Sequence, residues 1–204
     1  MPLSAIAINC SLKRSGGGDS STDAMIGLLV SELKKKDVTF AETIRIADHD
    51  VKPGVSSDEG DGDAWPDLRR RILENDILIF GTPIWMGQPS SLAKRVVERM
   101  DAFLSETDAR GRMPSTRKIA LVAVVGNEDG AHHVSAELYQ ALSDTGWTIP
   151  PAAVCYWVGE AMARTDFNQL PAVPDKVRET AAMCASNAAH LAQLLKDRPY
   201  PGVG

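Results

Sequence analysis

The stretch Asp76–Gly87, DILIFGTPIWMG, is a short apolar run rich in Ile and Leu that stops abruptly at a Gly-Thr-Pro turn. A run of this length bounded by turn chemistry reads as a strand buried on both faces, and such strands belong to parallel sheets covered by helices. Its C-terminal end opens into a rigid loop, and in a parallel sheet that edge is where ligands sit. Gln88-Pro89-Ser90-Ser91 and an amphipathic run come next. Strand, loop and helix therefore succeed one another as one repeat of a βαβ unit.

The same alternation recurs along the chain. Strand-like runs fall at Leu3–Asn9, Val38–Ile46, Asp76–Gly81, Lys118–Gly126 and about Ala152–Val158, each separated by room for a helix. Five strands alternating with helices imply an α/β fold with a doubly wound sheet. Ile26, Leu29, Val30 and Leu33 lie at helical spacing, as do Leu92, Val96, Met100, Phe103 and Leu104. Val177, Ala181, Cys184, Ala188, Leu191 and Leu195 predict a long closing helix with an alanine-rich seam, suited to close packing on the sheet or on another subunit. With 204 residues, 44% of them hydrophobic, the chain can bury one substantial core. We expect a single domain over residues 1–197 and a tail from Arg198 to Gly204, where Pro199 and Pro201 prevent helix continuation. The acidic, Gly- and Ser-rich stretch Asp48–Pro66 is about nineteen residues long, more than an ordinary α/β connection. It reads either as a lid near the ligand edge or as a solvated surface loop.

Composition narrows the function. The formal net charge of −5, with an acidic patch around Asp58–Asp63, argues against a nucleic-acid groove and falls short of a strongly acidic electron carrier. Cys10, Cys155 and Cys184 are far apart and odd in number, which suits a reducing cytoplasm better than a disulfide framework. No metal-ligand spacing appears. The chain enters an apolar strand after two residues, with no basic leader, and no run approaches the roughly 18 apolar residues that span a bilayer. The expectation is a soluble cytoplasmic protein with no membrane and no nucleic-acid partner.

Three loops carry the chemistry. The first, Cys10 to Thr22, combines Ser11, Lys13, Arg14, three glycines, Ser20, Ser21 and Thr22 just ahead of a helix. Hydroxyls and cations at a helix N-terminus, where unpaired amides and the positive dipole end converge, form an anion site. A phosphate suits it, although Ser20, Ser21 and Thr22 are equally good helix caps, and Asp23 must point away. The loop is neither G-x-x-x-x-G-K-[ST] nor G-x-G-x-x-G, so the cradle is hydroxyl-based. The second loop, Thr82-Pro83-Ile84-Trp85-Met86-Gly87, offers flat and polarizable side chains on a stiff backbone, fit to receive a planar ring. Core or subunit burial is an equal reading for Trp85. The third, Gly126-Asn127-Glu128-Asp129-Gly130-Ala131-His132-His133, reads as the far wall of the same cleft, with glycines permitting close backbone approach to a ligand. One of His132 and His133 is a candidate neighbour of the ring, and the other a surface residue. Adjacent histidines diverge and no carboxylate completes a metal site.

No G-x-S-x-G elbow exists, and Ser11, Cys10 and the histidines have no triad spacing. A phosphate cradle, an aromatic loop and no side-chain catalytic set point to a bound cofactor that performs the reaction itself, and flavin mononucleotide (FMN) has the right parts.

Taken together, the three loops resemble the flavodoxin-like superfamily, in its NAD(P)H-dependent FMN reductase and flavodoxin-family oxidoreductase branch. Ser11-Leu12-Lys13 through Ser21-Thr22 is similar to the family's phosphate loop. Thr82–Gly87, with Pro89-Ser90 and Lys94, is similar to its isoalloxazine loop, and Gly126-Asn127 with Gly130-Ala131-His132 to its third. The resemblance implies a three-layer sandwich around a five-stranded parallel sheet of order 2-1-3-4-5, with the flavin across the strand ends. It implies that Ser11, Lys13, Ser21 and Thr22, with Ser20, hold the phosphate. Thr82, Pro83, Ile84, Trp85, Met86 and Gly87 then contact the ring, backed by Gly126, Asn127, Gly130, Ala131 and His132. The first loop is longer and richer in glycine than the family's common form, and the compact cysteine cluster of related iron–sulfur flavoproteins is missing. The implied activity is transfer of a hydride from NAD(P)H to flavin N5, then of electrons to a small acceptor such as a flavin or quinone, with loop amides steadying the reduced ring. No side chain is assigned a catalytic role. Arg110 and Arg112 are either nicotinamide-phosphate ligands or solvated surface charges. The resemblance also implies a homodimer or homotetramer. A one-electron carrier and a non-catalytic flavin sensor are the alternatives.

Overall fold

In a computed structural model describing residues 2–18 and 20–203, the sheet contains β1 (Ser4–Asn9), β2 (Thr39–Arg45), β3 (Ile77–Trp85), β4 (Gln88–Pro89), β5 (Ile119–Gly126) and β6 (Val154–Val158). Five of these run parallel in the order β2-β1-β3-β5-β6. The two-residue β4 folds back antiparallel on the end of β3. Counting the long strands alone, the order is the expected 2-1-3-4-5, and the chain has the flavodoxin-like α/β fold. Met1, Asp19 and Gly204, which the sequence reading counts in the domain, the first loop and the tail, lie outside the described residues.

Alternation along the strands divides the core into two layers. Ala5, Ala7, Ile77, Ile79, Leu121 and Ala123 pack against α1 (Ser21–Lys34) and α5 (Asp175–Asp197). Ile6, Ile8, Leu78, Phe80, Val122 and Val124 face α2 (Trp65–Leu73), α3 (Ser91–Met100) and α4 (Ala131–Asp144). Nearly every residue of β3 and β5 is buried, as strands covered on both faces require. The alanine-rich seam of α5, with Ala181, Ala185, Ala188 and Ala192, is buried within this chain and packs with α1 and the sheet.

β3 runs farther than the sequence indicated, through Pro83 to Trp85 rather than ending at Gly81. β1 ends at Asn9, opposite Gly81, so Thr82 and Pro83 have a neighbouring strand, β5, on one side only. An edge position tolerates a residue with no amide donor.

The 48–66 connection is packed rather than free. Asp48 accepts the Ser15 amide at 2.9 Å and also its hydroxyl, tying the connection to the first loop. Arg95 donates to the Val51 carbonyl at 3.1 Å, and Arg99, wholly buried on α3, reaches Lys52, Ser56 and Asp63. No helix among the described residues is long and apolar enough to cross a membrane. Cys10, Cys155 and Cys184 are free and buried; burial raises all three thiols, Cys184 to about 12.

Candidate functional site

The loops after β1, β3 and β5 meet at the C-terminal edge of the sheet around a cavity of about 450 Å³, within the range of small-ligand sites. Its wall includes eleven of the residues named from sequence: Ser11, Lys13, Ser20, Ser21, Thr22, Pro83, Ile84, Trp85, Met86, Gly126 and Asn127.

At one end stands the first turn of α1. Ser20 is its N-cap: the hydroxyl accepts the Asp23 amide at 3.2 Å while the Asp23 carboxylate accepts the Ser20 amide at 2.8 Å. Ser20 is thus occupied in capping, and the amides of Asp23 and Ala24 are both satisfied by it. The amides of Ser21 and Thr22 precede them and have no intrahelical acceptor; both residues line the cavity. Asp23 is neutralised from behind by Arg45 at 2.5 Å and accepts a hydrogen bond from the Asn9 side-chain amide at 2.6 Å. Burial pushes its carboxyl up, but the bonds from Ser20 and Arg45 outweigh burial and hold it below the usual carboxylate range. The acid next to the anion site therefore faces into the protein. Lys13 lines the same end, its carbonyl held by Arg45 at 3.1 Å.

At the other end, Trp85 and Gln88 pair across a two-residue hairpin. The loop residues Met86 and Gly87 have φ of 54° and 73°, the pair of positive values that a type I′ turn uses. For Met86 this backbone costs roughly 1–2 kcal/mol. Two contacts hold it. Glu128 accepts the Met86 amide at 3.0 Å and the Gly87 amide at 3.3 Å, and Gly130 lies so close that a Cβ there would sit 2.8 Å from Gly87 Cα. The glycines of the third loop therefore make room for its neighbours; a Cβ on Gly126, which also lines the cavity, would likewise meet Ile84 at 2.9 Å.

Ser90, the N-cap of α3, joins the first two loops. Its hydroxyl donates to the Cys10 carbonyl at 2.6 Å and accepts the Ala93 amide, while its own amide donates to the buried Thr82 hydroxyl at 3.1 Å. Thr82 braces the second loop from outside the cavity wall. Gly87, Gly130 and Ala131 also lie outside that wall. His132, in the first turn of α4, stacks edge-on against Tyr156 with ring centroids 5.3 Å apart and its Nε2 3.2 Å from the Tyr156 hydroxyl. His133 meets Gln88 and Glu137 at the surface. Arg110 and Arg112 precede β5, at the opposite edge of the sheet from the cavity; Arg112 pairs with Asp108, which this contact holds down at about 2.

A fourth segment, unforeseen from the sequence, closes the cavity. Trp157, Met162 and Asp166 line it, together with Leu12, Val125 and Glu128. Asn127 fastens this segment: its side-chain amide donates to Asp166 at 2.7 Å and its carbonyl accepts the Met162 amide at 3.0 Å. The Ser21 hydroxyl reaches Asn168 at 3.1 Å. Trp157 packs on Phe167, with Gly159 leaving room for its ring.

Known proteins resemble this chain in sequence and fold. Residues 3–161 fit the family model described as NADPH-dependent FMN reductase. An 8-demethyl-8-aminoriboflavin-5'-phosphate synthase from Streptomyces davaonensis is 31% identical over 98% of this chain and 81% of its own length. The divalent metal cation transporter MntH from Mycobacterium bovis is 34% identical over 95% of this chain, which spans 29% of the transporter's length. Among solved structures, RosB with the bound intermediate 8-demethyl-8-formylriboflavin-5'-phosphate superposes with a TM-score of 0.85, at 29% identity, over 98% of this chain and 82% of RosB. The chain belongs to the NADPH-dependent FMN reductase family and is a flavin oxidoreductase.

Proposed function

We propose that the chain binds FMN in this cavity and passes electrons from NADH or NADPH to a small acceptor, a flavin or a quinone. The observation that carries the reading is the polarity of the cavity: a hydroxyl- and amide-rich end at α1, and a flat apolar wall of Pro83, Ile84, Trp85 and Trp157 at the other. That donor set suits a phosphate at one end and a planar ring at the other. Ser11, Lys13, Ser21 and Thr22 hold the phosphate, with Asp23 neutralised behind them. Pro83, Ile84 and Trp85 orient the ring, and Met86 and Met162, both highly exposed, stand at the mouth.

When bound, FMN supplies the two-electron acceptor and donor that the side chains lack. The chain itself binds, orients and excludes water. The rims formed by Leu12 and Trp85 are shared with a second groove between α3 and α4, which supports assembly as a homodimer or homotetramer in which a partner covers this side of the site.

Titration of the purified protein with FMN, followed by anaerobic addition of NADH and of NADPH, tests the reading. Saturable binding and bleaching of the flavin band by one nicotinamide are expected; tight binding with no bleaching by either contradicts it. The relation to the aminoriboflavin-phosphate synthase favours one further reading, in which a flavin phosphate is the substrate that is altered. Mass analysis of the flavin recovered after turnover separates them: an unchanged mass marks a cofactor, a changed mass a substrate.

A further inference from the structure

The turn at Met86–Gly87 presents two amides beside the cavity, Met86 on its wall and Gly87 next to it, where an electron-rich edge of a planar ring would use them. In this chain their acceptor is already present: the two carboxylate oxygens of Glu128 take one amide each, at 3.0 and 3.3 Å. Successive amides in left-handed backbone form an anion-binding concavity, and the anion they hold here is internal. Glu128 itself lines the cavity. Among the described residues it pairs with no lysine, arginine or histidine, so its charge meets only these amide dipoles.

We propose that Glu128 sets the electron affinity of the bound flavin, an inference that rests on the FMN reading above. Reduction by two electrons and one proton, all drawn from the nicotinamide, leaves the ring with one additional negative charge. Free, preorganised amides would favour that charge. Amides committed to a carboxylate do not, and the fixed carboxylate opposes it with a charge of the same sign. The arrangement reverses the expectation that the amides of this loop stabilise the reduced ring. It makes the reduced flavin a stronger donor, which suits onward delivery to an acceptor. The same carboxylate holds Met86 in its positive-φ conformation, so Glu128 has a positioning role beside the electrostatic one, and the two need separate variants.

The test measures the midpoint potential of bound FMN by dithionite titration against reference dyes, with dissociation constants for oxidised FMN, in the wild type, Glu128→Gln and Glu128→Asp. In Glu128→Gln, reduced FMN is expected to bind about tenfold tighter relative to oxidised FMN, a rise of about 30 mV for a two-electron couple. Glu128→Asp keeps the charge and is expected to stay near the wild type. To separate charge from turn strain, Glu128→Gln is repeated in a Met86→Gly background, where glycine accepts the positive φ freely, and the rise is expected again. An unchanged or lowered potential in Glu128→Gln with FMN still bound overturns the inference. So does an equal rise in Glu128→Asp, which assigns the effect to geometry. A wild type that takes up no FMN fails at the first titration and removes the FMN reading itself.

Discussion

The Arg99 guanidinium and the Asp63 carboxylate meet 2.7 Å apart, with both side chains closed off from solvent. The other donors of Arg99 reach the carbonyls of Lys52 at 2.9 Å and Ser56 at 3.0 Å, and the guanidinium lies 5.9 Å from the Trp65 ring centroid. One residue of α3 thus gathers both arms of the 48–66 connection. Lysine could not replace it, because the planar fork serves three acceptors at once. Asp63→Asn leaves a buried cation without its counter-charge and is expected to cost about 3–5 kcal/mol. Urea unfolding measures this; a loss below about 1 kcal/mol would show that the pair behaves as a surface contact.

The same pair gives stability a dependence on acid. Burial raises the Asp63 carboxyl, but the bond from Arg99 and the amides of Glu59, Trp65 and Lys52 outweigh it and hold the group far below the usual range. A carboxyl depressed in the folded state contributes stability that is complete above its unfolded pKa of about 3.9 and is lost as pH falls below that value. Thermal unfolding of the wild type should therefore become steeply pH-dependent below about pH 4, with the Asp63→Asn variant showing a shallower slope there. Parallel slopes would contradict the assignment.

Gly81 sits where α1 crosses β3. A Cβ there would fall 2.7 Å from Ile26 Cδ1 and 2.9 Å from Thr22 Cγ2, both on buried residues. Gly81→Ala is expected to cost about 1–3 kcal/mol through overpacking and to weaken FMN binding, because Thr22 belongs to the phosphate end. Calorimetry and FMN titration check the two effects together; destabilisation with undiminished FMN affinity would detach Thr22 from the site.

Much of this architecture is legible in the chain because parallel strands are nearly all apolar and helices carry apolar stripes, so β1, β3, β5 and the faces of α1, α3 and α5 stand out. The three loops are legible for the same reason, since each follows such a strand. What is not legible depends on long-range pairing. Arg99 reads as an ordinary helix charge until Asp63, thirty-six positions away, closes on it. Glu128 reads as a loop acid until the hairpin aims two amides at it. Trp157, Met162 and Asp166 lie beyond the last motif, and nothing in their local sequence says that the segment turns back toward α1. Gly126 and Gly130 carry a clear signal, freedom from Cβ, but the neighbours they make room for, Ile84 and Gly87, belong to a distant part of the chain.

Gly130 gives a sharper check on that last point. Its φ is 123°, and a Cβ would meet the Gly87 backbone at 2.8 Å. Backbone yields less than a side-chain tip, so Gly130→Ala should separate the second and third loops and lower FMN affinity about tenfold or more while β-sheet circular dichroism is retained. Undiminished affinity would show that the two loops need not touch for the site to work.

The account's central claim is that the first turn of α1, with Lys13 and Ser21, receives the phosphate of a flavin whose ring lies on the Pro83–Trp85 wall. The most direct measurement compares the dissociation constants of FMN and riboflavin, which differ only by that phosphate, for the wild type and the Lys13→Ala/Ser21→Ala double variant. The wild type should prefer FMN by at least about tenfold, the worth of a charge-assisted hydrogen bond, and the double variant should lose most of that preference while its riboflavin affinity holds. Equal binding of the two flavins by the wild type would contradict the claim.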